Sequence, residues 1–262
     1  MATARTFAHT AFRSGLGPLW AVAALTLSAC QSTERNLRQV PVVVAPYQAV
    51  LAVAPFSNES GVTLASADIL SVSDKIVAAV NETVGPDGSY GGGWRAVPVD
   101  RTLAAMRQLG ISAIGSEEDA RRLIRTIPVD GLVVGTLTEW GPYDPPRFGA
   151  NILLIGDDQR LNRALDATGL YGKTGDGPEI DDEGAPEVVR PITDLVIELD
   201  AVNHRVREDV RTYAESHSDV TGGFDPPERY YLMVFDRYLD FVANQIVGGL
   251  VLRERQRASS GG

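Results

Sequence analysis

Residues 130–155, Asp130-Gly-Leu-Val-Val-Gly-Thr-Leu-Thr-Glu-Trp-Gly-Pro-Tyr-Asp-Pro-Pro-Arg-Phe-Gly-Ala-Asn-Ile-Leu-Leu-Ile155, decide how the chain folds. Gly131 to Leu137 is almost continuously apolar, as a strand covered on both faces should be. Gly141-Pro142-Tyr143-Asp144-Pro145-Pro146 then forces a turn, and Arg147 to Ile155 resumes in strand-forming residues. The stretch predicts a hairpin at the middle of a sheet. Alternation of strands and helices before it, and a long helix after it, predict one α/β domain: a mixed sheet packed by helices in two or three layers.

Working outward, Ala49 to Ala54 reads as a strand, closed by Pro55-Phe56 and a polar turn at Ser57-Asn58-Glu59-Ser60-Gly61, with Val42 to Val44 as an edge strand before it. A helix follows, capped by Ser66, with Ile69, Val72, Ile76, Val80 and Val84 on one face and Gly85-Pro86 at its end. Trp94 to Val99 is a short strand, and Asp100 caps a helix that Gly110 stops. Ser116 to Asp119 resembles a capping box. Residues 156–191 read as an inserted loop, Ile192 to Leu199 as a strand, and 203–215 as an exposed helix of mixed charge. A hinge at 222–227 precedes one continuous helix from Glu228 to Arg255, striped by Tyr231, Phe235, Tyr238, Val242, Ile246 and Leu250. Residues 256–262 read as a flexible tail.

The amino terminus carries an address. Residues 1–29 have Arg5 and Arg13 but no acid, then the apolar core Leu19 to Leu27, too short to span a bilayer. Leu27-Ser28-Ala29-Cys30 matches the lipobox of bacterial lipoproteins. That resemblance implies cleavage before Cys30, a diacylglycerol group on its thiol and an acyl group on the new amino terminus. Gln31 after the cysteine implies release to the periplasmic face of the outer membrane. Residues 30–41 then form a polar tether reaching at most about 35 Å. Cys30 is the only cysteine, so no disulfide forms within the chain.

The 262 residues are 44% hydrophobic and 22% charged, ample for a buried core. A formal charge of −10 argues against a nucleic-acid surface. Loss of Arg5 and Arg13 with the signal leaves 22 basic against 34 acidic residues, a net of −12. Such a body is repelled by anionic headgroups, so the lipid, not basic charge, must hold it to a membrane.

No catalytic constellation is legible. Gly88 to Gly93 precedes a strand and lacks the Gly-Lys-Ser/Thr of a phosphate loop. His204 and His217 have no HExxH setting, and no serine lies in G-x-S-x-G. Asp176, Asp181, Asp182 and Glu183 lack the spacing of a calcium loop. We therefore expect no cofactor beyond the covalent lipid, and no metal. Trp140, Tyr143, Arg147 and Phe148 form the interior group of most interest, either an aromatic plug over the sheet end or a partner surface, with Arg147 paired to a carboxylate such as Asp144.

The strand AVLAVAPFSNESG, the strand DGLVVGTLTEW and the PYDPPRFGANILL hairpin resemble a domain shared by several envelope lipoproteins. These are CsgG, LpoB, PelC and the amino-terminal domain of TolB, with an α/β fold similar to anticodon-binding domains. The resemblance spans residues 42–255, with the insertion at 156–191. It implies a scaffold, assembly factor or activator without enzymatic activity, acting on an envelope partner or by self-association. The amphipathic hairpin pair of CsgG is not evident. The competing reading is an exported hydrolase or carbohydrate-active enzyme with scattered carboxylates, which a deep cleft of convergent, perturbed titratable groups would favour.

Overall fold

The structure is a computed structural model that describes residues 42–90, 92–157, 161, 189–217 and 226–260. The expected signal peptide, Cys30 and tether, the acidic loop at 176–183 and most of the 222–227 hinge lie outside the described residues. Six described strands, β1 (Ala49–Val53), β2 (Ser57–Asn58), β3 (Trp94–Ala96), β4 (Gly131–Gly141), β5 (Arg147–Asp157) and β6 (Val189–Asp200), form one sheet. Its order is β3-β1-β4-β5-β6, with β2 beside β4 in line with β1. The β3, β1 and β4 strands run parallel, whereas β4, β5 and β6 are antiparallel. The sheet is therefore mixed, and the quoted hairpin is its centre.

Six described helices cover it: α1 (Ser66–Asn81), α2 (Val99–Leu109), α3 (Glu117–Thr126), α4 (His204–His217), α5 (Glu228–Met233) and α6 (Phe235–Ser260). Side-chain alternation along the strands divides the core into two slabs. Leu51, Val53, Val133, Ile152 and Leu154 face α1 and α6, joined by Val206, Val210 and Ala214 of α4. Ala52, Ala54, Leu132 and Ile155 face Ala105 and Met106 of α2 and Leu123 and Ile124 of α3. The architecture is a three-layer α/β domain.

Several boundaries differ from the sequence reading, each for a local reason. The first helix is capped at Ala65, whose N–H donates to the Asp68 carboxylate, so Ser66 is its first residue. It ends at Asn81, because Val84 leaves to exchange backbone hydrogen bonds with Val43 and Ala45. Pro98, pre-set in φ, starts α2, which places Asp100 in the first turn rather than at the cap. The 203–215 segment is not wholly exposed, since Val206, Val210 and Ala214 make a buried stripe. The insertion is narrower than 156–191, because β5 runs to Asp157 and β6 begins at Val189. Pro191 is tolerated there because β6 is an edge strand, irregular beside Leu154/Ile155.

The closing helix is two helices. Val234 adopts an extended backbone (φ −108°, ψ 99°) and separates α5 from α6. Tyr231 of α5 turns edge-on to Tyr213 at 5.4 Å, while Phe235 of α6 meets Trp140. The expected flexible tail after Gln256 is helical to Ser260, and its Arg257 reaches back to Glu254. No described helix is long and apolar enough to cross a membrane.

Candidate functional site

The turn between β4 and β5 projects from one end of the sheet, and a bulge sets which side chains it presents. Pairing shifts register between Leu137 and Glu139. Strict alternation after Leu137 would turn Glu139 inward and Trp140 outward. The extra residue reverses this. Trp140 lies opposite Phe148, with ring centroids 6.3 Å apart, and meets Phe235 edge-on at 4.8 Å. Glu139 comes to the outer face beside Arg147, and the two pair at 3.0 Å.

The four predicted residues therefore part company. Phe148 is wholly buried and Trp140 half-buried against it, so these two plug the end of the core. Tyr143 is 85% exposed. Arg147 takes Glu139 rather than Asp144 as its ion-pair partner, because the bulge places that carboxylate on its side of the sheet. Both side chains are substantially exposed, so the pair contributes at most about 1 kcal/mol.

Two shallow recesses flank the turn and share Asp144. One, of about 360 Å³, lies between Tyr143, Pro145, Arg147 and Val202. The other, of about 590 Å³, is bounded by α4 and α5, with Met233 and Leu232 as its apolar part. Asp144, Glu208 and Glu228 balance Arg207, Arg211 and Arg229 around it, so it selects neither sign of charge. Arg211 pairs with Glu208 and Arg207 donates to the Val202 carbonyl at 3.2 Å. Tyr143, Val202 (59% exposed) and Met233 (54% exposed) give this end of the molecule three exposed apolar side chains.

The groups most displaced from their ordinary titration lie elsewhere. Tyr47, Tyr213 and Tyr238 are all pushed upward, first by burial and then by nearby acidic groups. None of the three lines either recess. A raised folded pKa means that stability is complete below the unfolded value near 10 and is lost as pH rises past it. Tyr47 and Tyr238, both fully buried, should together remove roughly 1.5 kcal/mol by about pH 10.5. Urea midpoints measured between pH 8 and 10.5 check this, and a flat profile would contradict it. His217 is a packed residue, its ring stacked on Tyr213 at 3.9 Å. Among the described residues no three metal-ligating side chains converge.

The motifs behind the family resemblance prove to be structural. The Phe56 ring lies directly over Gly135, where a Cβ would sit 2.2 Å from it. Ser57 Oγ is 2.7 Å from Thr136 Oγ1, and Asn58 closes the following turn by donating to the Val62 carbonyl.

Sequence reasoning missed a buried polar cluster at the opposite end of the sheet. Glu254 of α6 has no exposed surface. It accepts from Tyr47 Oη at 2.7 Å, from Thr193 Oγ1, and from Arg257 Nη2 at 2.8 Å and Nε at 3.2 Å. Burial is the largest single influence on Arg257 and works against its charge, but the hydrogen bonds and charge of Glu254, together with Tyr47, outweigh it and raise its pKa. The signal was present: Ile246, Leu250 and Glu254 recur every four residues on one apolar stripe.

No protein-family model and no curated protein matches the chain. Among solved structures it is similar to the LpoB C-terminal domain from Salmonella enterica, at 17% identity over 46% of this chain and 78% of that one, TM-score 0.30. It is similar to the hypothetical protein CT253 from Chlamydia trachomatis, at 13% identity over 78% and 98% of the two chains, TM-score 0.34. It is also similar to the PelC dodecamer from Paraburkholderia phytofirmans, at 15% identity over 45% and 66%, TM-score 0.23. At these identities and scores, function must be argued from the chain's own residues.

Proposed function

We propose that this chain is a lipid-anchored protein of the bacterial envelope that works by contact with a protein partner and not by catalysis. The hairpin end is its contact surface. The observation that carries the reading is the exposed group Tyr143, Val202 and Met233 around two adjoining shallow recesses. Aromatic and methionine side chains are enriched at protein interfaces, and tyrosine is a frequent hot spot. The Glu139–Arg147 pair and the charged rim supply a polar border. The lipobox ending at Cys30 supports anchorage at the periplasmic face of the outer membrane. Several acyl chains at about 0.8 kcal/mol per buried CH₂ would hold a body of this negative charge.

Tyr143→Ala should leave the circular dichroism and the thermal midpoint unchanged, since Tyr143 packs little of its surface. It should weaken a partner captured by cross-linking from the envelope by about 2 kcal/mol, roughly 30-fold. Loss of stability without a separable binding defect would make the hairpin end a plug. Wild-type protein should incorporate radiolabelled palmitate in cells and Cys30→Ala should not. An unlabelled wild type would refute the anchor.

A further inference from the structure

Among the described residues β6 ends the sheet, and no described strand pairs with its outward side. Its side chains alternate. Leu195 and Ile197 turn to the α1/α6 slab, while Asp194, Val196 and Glu198 turn to the other face. That face is covered by α2 and α3 over Ala52, Ala54, Leu132, Val134, Leu153 and Ile155 and, at the start of β6, over Val189. Beyond them it is open: Asn151, the neighbour of Val196, is exposed, and the neighbour of Glu198 is Gly149. Val196 itself is 67% exposed, an unusual position for a β-branched residue flanked by two acids. Neither Asp194 nor Glu198 meets a cation among the described residues. Arg147, a cation on the same face of the neighbouring strand β5, is engaged with Glu139.

We propose that β6 receives a basic, extended segment of the partner protein as an added strand. This deepens the contact reading and rests on it. Residues of an added strand that face Asp194, Val196 and Glu198 are themselves two apart, so the chemistry selects a basic–x–apolar–x–basic pattern. The pattern is the same in either strand direction. A second copy of this chain is the wrong occupant. Antiparallel pairing of β6 with itself about Val196 sets Asp194 against Glu198 twice, and parallel pairing in register sets each acid against its own copy. Like charges directly opposite are destabilising. Pro191 lacks an N–H, which limits the addition to the strand beyond it. The net charge of −10 also draws a basic segment in and repels an acidic one.

The test uses two fluorescein-labelled peptides, TKTVTKT and TETVTET, titrated against the full chain and read by anisotropy. The basic peptide should bind, more weakly as salt rises, and the acidic one should not. The double variant Asp194→Lys/Glu198→Lys, checked for an unchanged thermal midpoint, should reverse the preference, each peptide's affinity changing by roughly tenfold. The Tyr143→Ala variant should bind the basic peptide as wild type does. Failure of the basic peptide to bind, or a preference unchanged in the double variant, overturns the proposal. So does concentration-dependent dimerisation through β6, seen by sedimentation and lost in Val196→Lys. If the peptides fail while capture of the partner still depends on Tyr143, only the strand-addition proposal falls; loss of both removes the contact reading as well.

Discussion

Glu254→Ala should lower the unfolding free energy by about 3–5 kcal/mol. The carboxylate sits in the core with every oxygen engaged, by Tyr47, Thr193 and Arg257. Truncation removes the acceptor and leaves two buried hydroxyls and a part-buried guanidinium without it. A buried donor that loses its partner costs about 1–3 kcal/mol by itself. Glu254→Gln keeps one acceptor oxygen, for Tyr47 or Thr193, while it loses the charge and turns the other oxygen into an N–H donor, so it should cost less than the alanine variant but still destabilise. Urea denaturation at neutral pH separates the variants. An Ala variant within 1 kcal/mol of wild type would mean that water replaces the carboxylate, and the cluster would not be a structural joint.

The second large effect is at the crossing of Phe56 and Gly135. Phe56→Ala empties a site that is 3% exposed, which should cost about 3–5 kcal/mol. Gly135→Ala drives a methyl to 2.2–2.5 Å from three ring atoms and should cost about 2–3 kcal/mol by overpacking. The double variant is the sharper measurement. With the ring gone, the new methyl occupies part of the space it left, so the pair should be less destabilised than the sum of the singles, by at least 1 kcal/mol. Strict additivity would show that the ring does not rest on Gly135.

The order of elements was legible because the strands are apolar and the helices carry stripes. Gly131 to Leu137 could hardly be anything but a covered strand, and Val72, Ile76 and Val80 all reached the core. Boundaries were less legible, because they depend on partners distant in sequence. Val84 leaves its helix for Val43 and Ala45, and nothing local says so. The division of the aromatic group at 140–148 between core and surface was not legible, for a related reason. Alternation decides which aromatics face inward, and the one-residue bulge after Leu137 inverts it for Trp140 without any glycine or proline at the point of insertion. Tyr143 escaped the inversion because it lies in the turn. Glu254 was hidden by its company. Between Arg253 and Arg255 it reads as a solvated acid, and only the helical phase shows that it points the other way.

The described body begins and ends at the same pole. Val44 and Tyr47 are held by the last turns of α6, through Arg255 to the Val44 carbonyl and through Glu254. The segment is also bonded to Val84 on both sides, at 2.9 and 3.1 Å. A mechanical load applied through residue 42 would therefore reach these few bonds before any strand of the sheet felt it. The Glu254 cluster would act as a cleat, passing tension from the amino-terminal segment into a 26-residue helix and sparing the β4–β5 hairpin at the far end.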